Sequence, residues 1–326
     1  MLNMVENVVQ LDKIDRKILF ELDKNCRIST IKLAKMVKKS RQTVEYRINQ
    51  LVKKGVILKF QTAINPHKMG YKIHKIYLKL KNIPEEKKRL FAYLRASSNV
   101  YWMGEFSGRW DIIFGIFEKE DYDFYEFKNE LISKFNKIII EEEGDILIEV
   151  KQYTKKYFTN EFAESTMFAG RIEENKPDKL DHKILKILVN NARISLVELA
   201  TKLNSTAIVM KNRIKKLEKL GIIIQYRIAV EIGKLNLELY KAIIKFDKYS
   251  KEKEKRFIDY VSNLNEIQYL IQNIWQTELE LVVENYKQYY EAIEKLKQKF
   301  PDYIRNVDSL LMITDEWTPG FDKSLF

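Results

Sequence analysis

The chain has 326 residues, 45% of them hydrophobic, with a net charge of +12 at neutral pH. That length implies two or more domains, and a positive excess of that size favours polyanions, nucleic acid first. A single cysteine, Cys26, excludes an internal disulfide framework and a cysteine-cluster metal site.

The N-terminal MLNMVENVVQ is too short and polar for a signal peptide, and no apolar run approaches the roughly 20 residues that span a bilayer. The expectation is a soluble cytoplasmic protein with no membrane partner.

From Leu11 to Asp23, Ile14, Ile18, Leu19 and Leu22 share one face at helical spacing. Ser29 caps a second helix carrying Leu33, Ala34 and Val37, and Ser40 caps a third. In the third, Val44, Ile48 and Leu51 form the apolar back, and Gly55 ends it. A short β-rich run, Val56 to Ile64, follows. Three helices and a ribbon make a winged helix-turn-helix. Residues 11–65 hold 14 Lys/Arg against 5 Asp/Glu, so this is the basic module.

The same text returns with a constant shift of 166: Asp15 meets Asp181, Arg47 meets Arg213 and Gly55 meets Gly221. An ungapped match of this length means two copies of one unit. After each copy comes the order βαββαβ, the ferredoxin-like pattern. In the first half it runs His74 to Lys81, Pro84 to Ala96, Val100 to Phe106, Trp110 to Phe117, Tyr122 to Phe135 and Ile138 to Tyr153. The fold class is therefore α+β, two repeats of a winged helix-turn-helix followed by a ferredoxin-like βαββαβ domain. The expected units are 1–65, 66–158, a linker over 159–179, 180–233 and 234–326.

LDKIDRKIL (11–19), RIS (27–29), LA (33–34), TV (43–44), RI (47–48), GVI (55–57), NPHKMG (65–70) and SGRWD (107–111) occur in that order. With them the chain resembles the leucine-responsive regulators (Lrp/AsnC, the feast/famine family), twice over. The resemblance implies a DNA-binding transcriptional regulator whose βαββαβ domains pair through their sheets and bind a small effector such as an amino acid. It implies double-stranded DNA and further copies of the chain as partners, with transcription machinery as another. One copy per polypeptide is the family's habit, and a tandem departs from it.

Phosphate neutralisation falls to Lys38, Lys39, Lys53 and Lys54 around the third helix and to Lys59 on the wing. Ser40 opens that helix, and base reading falls to Arg41, Gln42, Thr43 and Tyr46. Arg can meet guanine, Gln adenine, and a Thr methyl the thymine methyl. Arg47 sits nearer the apolar edge, where contact with DNA and pairing with a carboxylate are both open.

In the second copy, Ala207, Ile208, Val209 and Asn212 replace Arg41, Gln42, Thr43 and Tyr46. Ile208, Lys211, Asn212, Lys215 and Lys216 therefore read as a weaker DNA face or a protein contact.

The loop Ser107, Gly108, Arg109 and Asp111 looks like the family's effector loop; a plain hairpin turn is the alternative. The second half reads NIWQTELELVV there, with Thr277 expected in place of Gly108. Tyr101, Trp102, Phe106, Trp110, Phe114 and Phe117 read as sheet packing. No Walker loop, GxGxxG, GxSxG or HExxH is present, so no catalytic residue, metal site or cofactor is expected. Two alternatives stand beside the regulator. One is a sirohaem decarboxylase-like tetrapyrrole enzyme, whose halves share this build and which would need His and Arg around the ligand. The other is a DNA-anchored adaptor recruiting a protein through its second half.

Overall fold

The computed structural model describes residues 8–159, 161 and 165–317. Helices α1 (Lys13–Lys24), α2 (Thr30–Met36) and α3 (Arg41–Lys53) open the chain. Each starts on a side-chain cap: Asp12 accepts from the Ile14 and Asp15 N–H groups, Ser29 from Lys32 and Ser40 from Thr43. Ile18, Leu22, Leu33, Val44, Ile48 and Leu51 close into one buried cluster. Strand β1 (Ile57–Ile64) then leads away.

The first βαββαβ unit comprises β2 (Lys72–Leu80), α4 (Pro84–Ala96), β3 (Val100–Ser107), β4 (Ile112–Glu118), α5 (Asp121–Lys134) and β5 (Ile139–Gln152). A short strand, β6 (Thr166–Ala169), precedes the second winged unit: α6 (Lys179–Asn190), α7 (Leu196–Lys202), α8 (Ala207–Lys219) and β7 (Ile223–Val230). The second βαββαβ unit follows as β8 (Glu238–Phe246), α9 (Lys251–Ser262), β9 (Ile267–Asn273), β10 (Thr277–Val283), α10 (Tyr286–Lys299) and β11 (Ile304–Trp317).

The two halves are joined by strands rather than merely tethered. A ribbon was expected within each winged unit. Instead each unit supplies one strand, and β1 pairs antiparallel with β7, Gln61 facing Arg227. The reason is local. Asn65 and Pro66 turn the chain into a 3-10 turn toward β2, so β1 has no return strand of its own.

The sheets join in a similar way. β5 pairs with β2 through residues 139–147 and with β9 through 147–152. β11 pairs with β8 through 304–311 and with β3 through 311–317. The order β2-β4-β3-β11-β8-β10-β9-β5 thus returns to β2, an eight-stranded closed ring with no open edge within it.

The stretch 159–179 does more than link. Its β6 pairs with β5, the Asn65 side-chain amide donates to the Ala169 carbonyl at 2.8 Å, and the Glu173 N–H donates to the His67 carbonyl at 2.8 Å. The shorter second hairpin makes Thr277 the first residue of β10, not the counterpart of Gly108.

Candidate nucleic-acid interface

Helix α3 buries Val44, Ile48 and Leu51 and turns the opposite face to solvent. Arg41, Gln42 and Tyr46 are exposed, Tyr46 at 64%. Thr43 is half-buried, its hydroxyl 2.8 Å from that of the capping Ser40. Arg41 is steadied by Glu45 one turn on, at 2.7 Å. Lys38, Lys39, Lys53 and Lys54 are all exposed around this face.

Two expected members fall elsewhere. Arg47 lies 2.7 Å from Asp12 and 2.8 Å from Asp15, tying α3 to the start of α1. Backbone N–H groups, together with Arg47, hold the Asp12 carboxyl below its ordinary range. The Arg47 Nη1 thus serves a contact within the module. Its counterpart Arg213 makes the same pair of contacts with Asp178 and Asp181. Lys59 is half-buried and lines the cleft between the β1–β7 ribbon and the barrel rather than standing fully exposed on a wing.

On α8, Ile208 is 73% exposed, and Lys211, Asn212 and Lys215 are exposed beside it. Lys216 is drawn to Asp181 at 2.9 Å. The helix keeps its buried Met210, Ile214 and Leu217 but offers solvent an apolar residue where α3 offers Gln42.

The loop from Ser107 to Asp111 has its charges engaged internally. Arg109 pairs with Asp308 at 3.1 Å and Glu141 at 3.0 Å, and its guanidinium sits over the Trp110 ring. Asp111 accepts from the Leu80 N–H at 2.8 Å and lies 3.2 Å from Lys79. Gly108 has φ +148°, and a Cβ there would run into Leu310 and the Ser309 carbonyl. Hairpin geometry accounts for the glycine, and Asp111, the carboxylate that an effector would meet, already holds the Leu80 N–H and Lys79.

Two charged clusters were not read from the sequence. Inside the ring, Lys75 meets Glu278, and Lys241 meets Glu278 and Glu280. The Tyr77 hydroxyl also donates to Glu278. Burial would raise the Glu278 carboxyl, but Lys241 and Lys75 outweigh it and hold it well below its ordinary range. Between the winged units, Arg227 of β7 grips Asp23 of α1 at 2.9 Å, and Lys155 reaches the same carboxylate at 3.3 Å. The available signal was charge at alternate positions of apolar strands, HKIYLKL and TELELVV, which reads equally as a solvent face.

The imidazoles lie apart from the cavity that Lys59 lines. His74 stacks on Phe124 of α5 at 4.1 Å, and burial pushes it down to about 4. His67 contacts the Gly170 carbonyl at 2.7 Å. Among the described residues, no helix is long and apolar enough to cross a membrane, and no group of three His, Cys, Asp or Glu side chains is placed to hold a metal ion.

Residues 11–57 and 177–224 each match the family described as winged helix-turn-helix DNA-binding. An HTH-type transcriptional regulator of Pyrococcus horikoshii is 34% identical over 147 residues, which are 44% of this chain and 90% of the relative. Among solved structures, the siroheme decarboxylase NirDL covers 96% of this chain and 97% of its own, with a TM-score of 0.63 at 11% identity, a likeness of fold alone. An AsnC family transcriptional regulator from Agrobacterium tumefaciens is 27% identical over 41% of this chain and 89% of its own, with a TM-score of 0.37.

Proposed function

The chain belongs to the winged helix-turn-helix transcriptional regulators of the Lrp/AsnC kind, and from that membership we propose that it reads a specific DNA sequence through α3 alone. It is a DNA-binding regulator; the division of labour between its halves is the new element. The observation that carries it is the exposed front of α3, where Arg41, Gln42 and Tyr46 face solvent above a buried apolar back and are ringed by four exposed lysines. Helix α8 has a matching apolar back and a hydroxyl cap, Thr206, but shows Ala207, Ile208 and Asn212 at the corresponding positions. It serves as an auxiliary contact, to the phosphate backbone through Lys211 and Lys215.

One reading helix per chain has a consequence for assembly. A palindromic operator needs two reading helices about one helical turn, or a multiple, apart. Two chains therefore meet on one operator, although a single chain closes its own barrel. The outer helices α5 and α10 expose Tyr122, Tyr125, Tyr286 and Tyr290 for that contact.

A tetrapyrrole enzyme finds less support, because none of the chain's three histidines lines the cavity between ribbon and barrel.

The test is a salt-series DNA titration on genomic fragments with wild type, an Arg41→Ala/Gln42→Ala double variant and a Lys211→Ala/Lys215→Ala double variant. The α3 variant loses preference among fragments, at about 1–3 kcal/mol per base-reading residue. The α8 variant keeps the preference and lowers the log–log salt slope by about 0.9 per lost phosphate contact. Unchanged preference in the α3 variant would sink the reading.

A further inference from the structure

The β1–β7 ribbon runs antiparallel through one pair of counterparts. Gln61 and Arg227, separated by the repeat shift of 166, stand directly opposite each other. That places the two-fold pseudo-axis of the molecule at this pair. Between the ribbon and the mouth of the barrel lies a cavity of about 320 Å³. Its lining includes both members of further counterpart pairs. Trp102 and Tyr269 occupy the third position of β3 and β9, and Val150 and Asp315 the twelfth of β5 and β11.

In a symmetric dimer these pairs would be identical, and a polar guest could lie in two equivalent directions. Here every pair differs: glutamine against arginine, tryptophan against tyrosine, valine against aspartate. The cavity has acquired a direction.

Its charged lining is unequal as well: Lys59 and Arg227 stand on the ribbon wall, and Lys75, Glu280 and Asp315 on the barrel wall. On the ribbon wall, Arg227 is 1% exposed. Its Nε and Nη2 donate to Asp23, a carboxylate it shares with Lys155, so two cations rest on one anion. Its Nη1 has no partner among the described residues. A buried donor left unmade is costly, and an incoming carboxylate would satisfy it. On the barrel wall, Asp315 accepts from Trp102 Nε1 at 2.6 Å. The remaining lining is rich in flat rings, Tyr101, Phe168 and Tyr269 among them. A largely apolar cavity of this size with a few placed polar groups suits a small molecule.

We propose that this cavity binds a flat aromatic carboxylate bearing a hydrogen-bond donor at its far end, the class of 4-hydroxyphenylacetate and 4-aminobenzoate. The carboxylate meets Arg227, the ring lies among Trp102, Phe168 and Tyr269, and the donor faces Asp315. Such a guest bridges the ribbon that joins the winged units and the barrel beneath. Its effect on DNA rests on the regulator reading above; its binding does not.

Isothermal titration calorimetry of the full chain with 4-hydroxyphenylacetate tests the site without DNA. The expected result is one molecule per chain, with phenylacetate, which lacks the donor, weaker by about tenfold, the worth of one hydrogen bond to a charged group. Phenylalanine, whose ammonium sits beside its carboxylate instead, is weaker than 4-hydroxyphenylacetate. Arg227→Gln abolishes binding. Because that change also disturbs Asp23, Ala63→Leu, which fills the cavity from the ribbon, provides the second check; it abolishes binding while the circular dichroism spectrum is retained. No heat with wild type, or undiminished binding to folded Ala63→Leu, overturns the site. Equal affinity for phenylacetate overturns the assigned ligand class. A DNA titration in the presence of 4-hydroxyphenylacetate then reports coupling separately.

Discussion

Lys75 of the first half and Glu278 of the second meet inside the closed barrel, with Nζ 2.6 Å from Oε2 and both residues buried. The pair spans the two repeats, and Lys241 shares the same carboxylate. A buried ion cluster is hazardous to break, because the groups left behind keep their desolvation cost.

Glu278→Gln is therefore expected to cost about 3–5 kcal/mol in urea unfolding. Replacing Lys75, Lys241, Glu278 and Glu280 together by apolar residues of similar size is expected to cost less than the single change. The pH dependence has a definite sign. The folded carboxyl of Glu278 is held below its unfolded value of 4.5, so its contribution is present above that pH and fades as pH falls below it. Wild type loses stability over that acid range more steeply than Glu278→Gln. Parallel acid profiles would contradict the assignment.

Arg47 and Arg213 make matching contacts in the two winged units. Each is about a quarter to a third exposed, so solvent screening limits the gain. Alanine at either position is expected to lower stability by about 1 kcal/mol, and by similar amounts at the two sites. If Arg47 read bases instead, Arg47→Ala would change fragment preference with no matching loss of stability.

Cys26 is fully buried at the junction of α1 and α2, and burial pushes its thiol up to about 12. The thiolate is the reactive form, so the native chain is expected to resist a thiol reagent at neutral pH. Unfolding in guanidinium should release one reactive thiol per chain. Rapid native labelling would show that the first winged unit opens readily.

Gly108→Ala places a methyl group at φ +148° against Leu310 and the Ser309 carbonyl. A loss of about 1–3 kcal/mol is expected in thermal or chemical unfolding. Gly170, also at positive φ but with open space around it, is the control, where alanine should cost less.

The winged units were largely legible from the chain text. Their cores follow i, i+3 and i+4 spacing, and Ser29 and Ser40 mark helix starts that depend on neighbours only a few residues away. The bounds of α4, Pro84 to Ala96, were legible for the same reason. The exposed front of α3 could also be named in advance, since exposure there follows from helical phase. Arg47 and Lys59 could not be assigned so simply. The first depends on a carboxylate 35 residues away, and the second on the barrel that closes over it.

The sequence by itself determined that this protein is a duplication, that each copy is a winged helix-turn-helix followed by βαββαβ, and that the third helix of the first copy presents Arg41, Gln42 and Tyr46 where the second presents Ala207, Ile208 and Asn212. Helices encode themselves locally, through hydrogen bonds four residues apart. The tertiary structure alone decided that β1 pairs with β7, that β5 and β11 each serve both sheets, and that Lys75, Lys241 and Glu278 face inward. A strand's partner can lie anywhere in the chain, and alternation along a strand distinguishes two faces without saying which of them is enclosed.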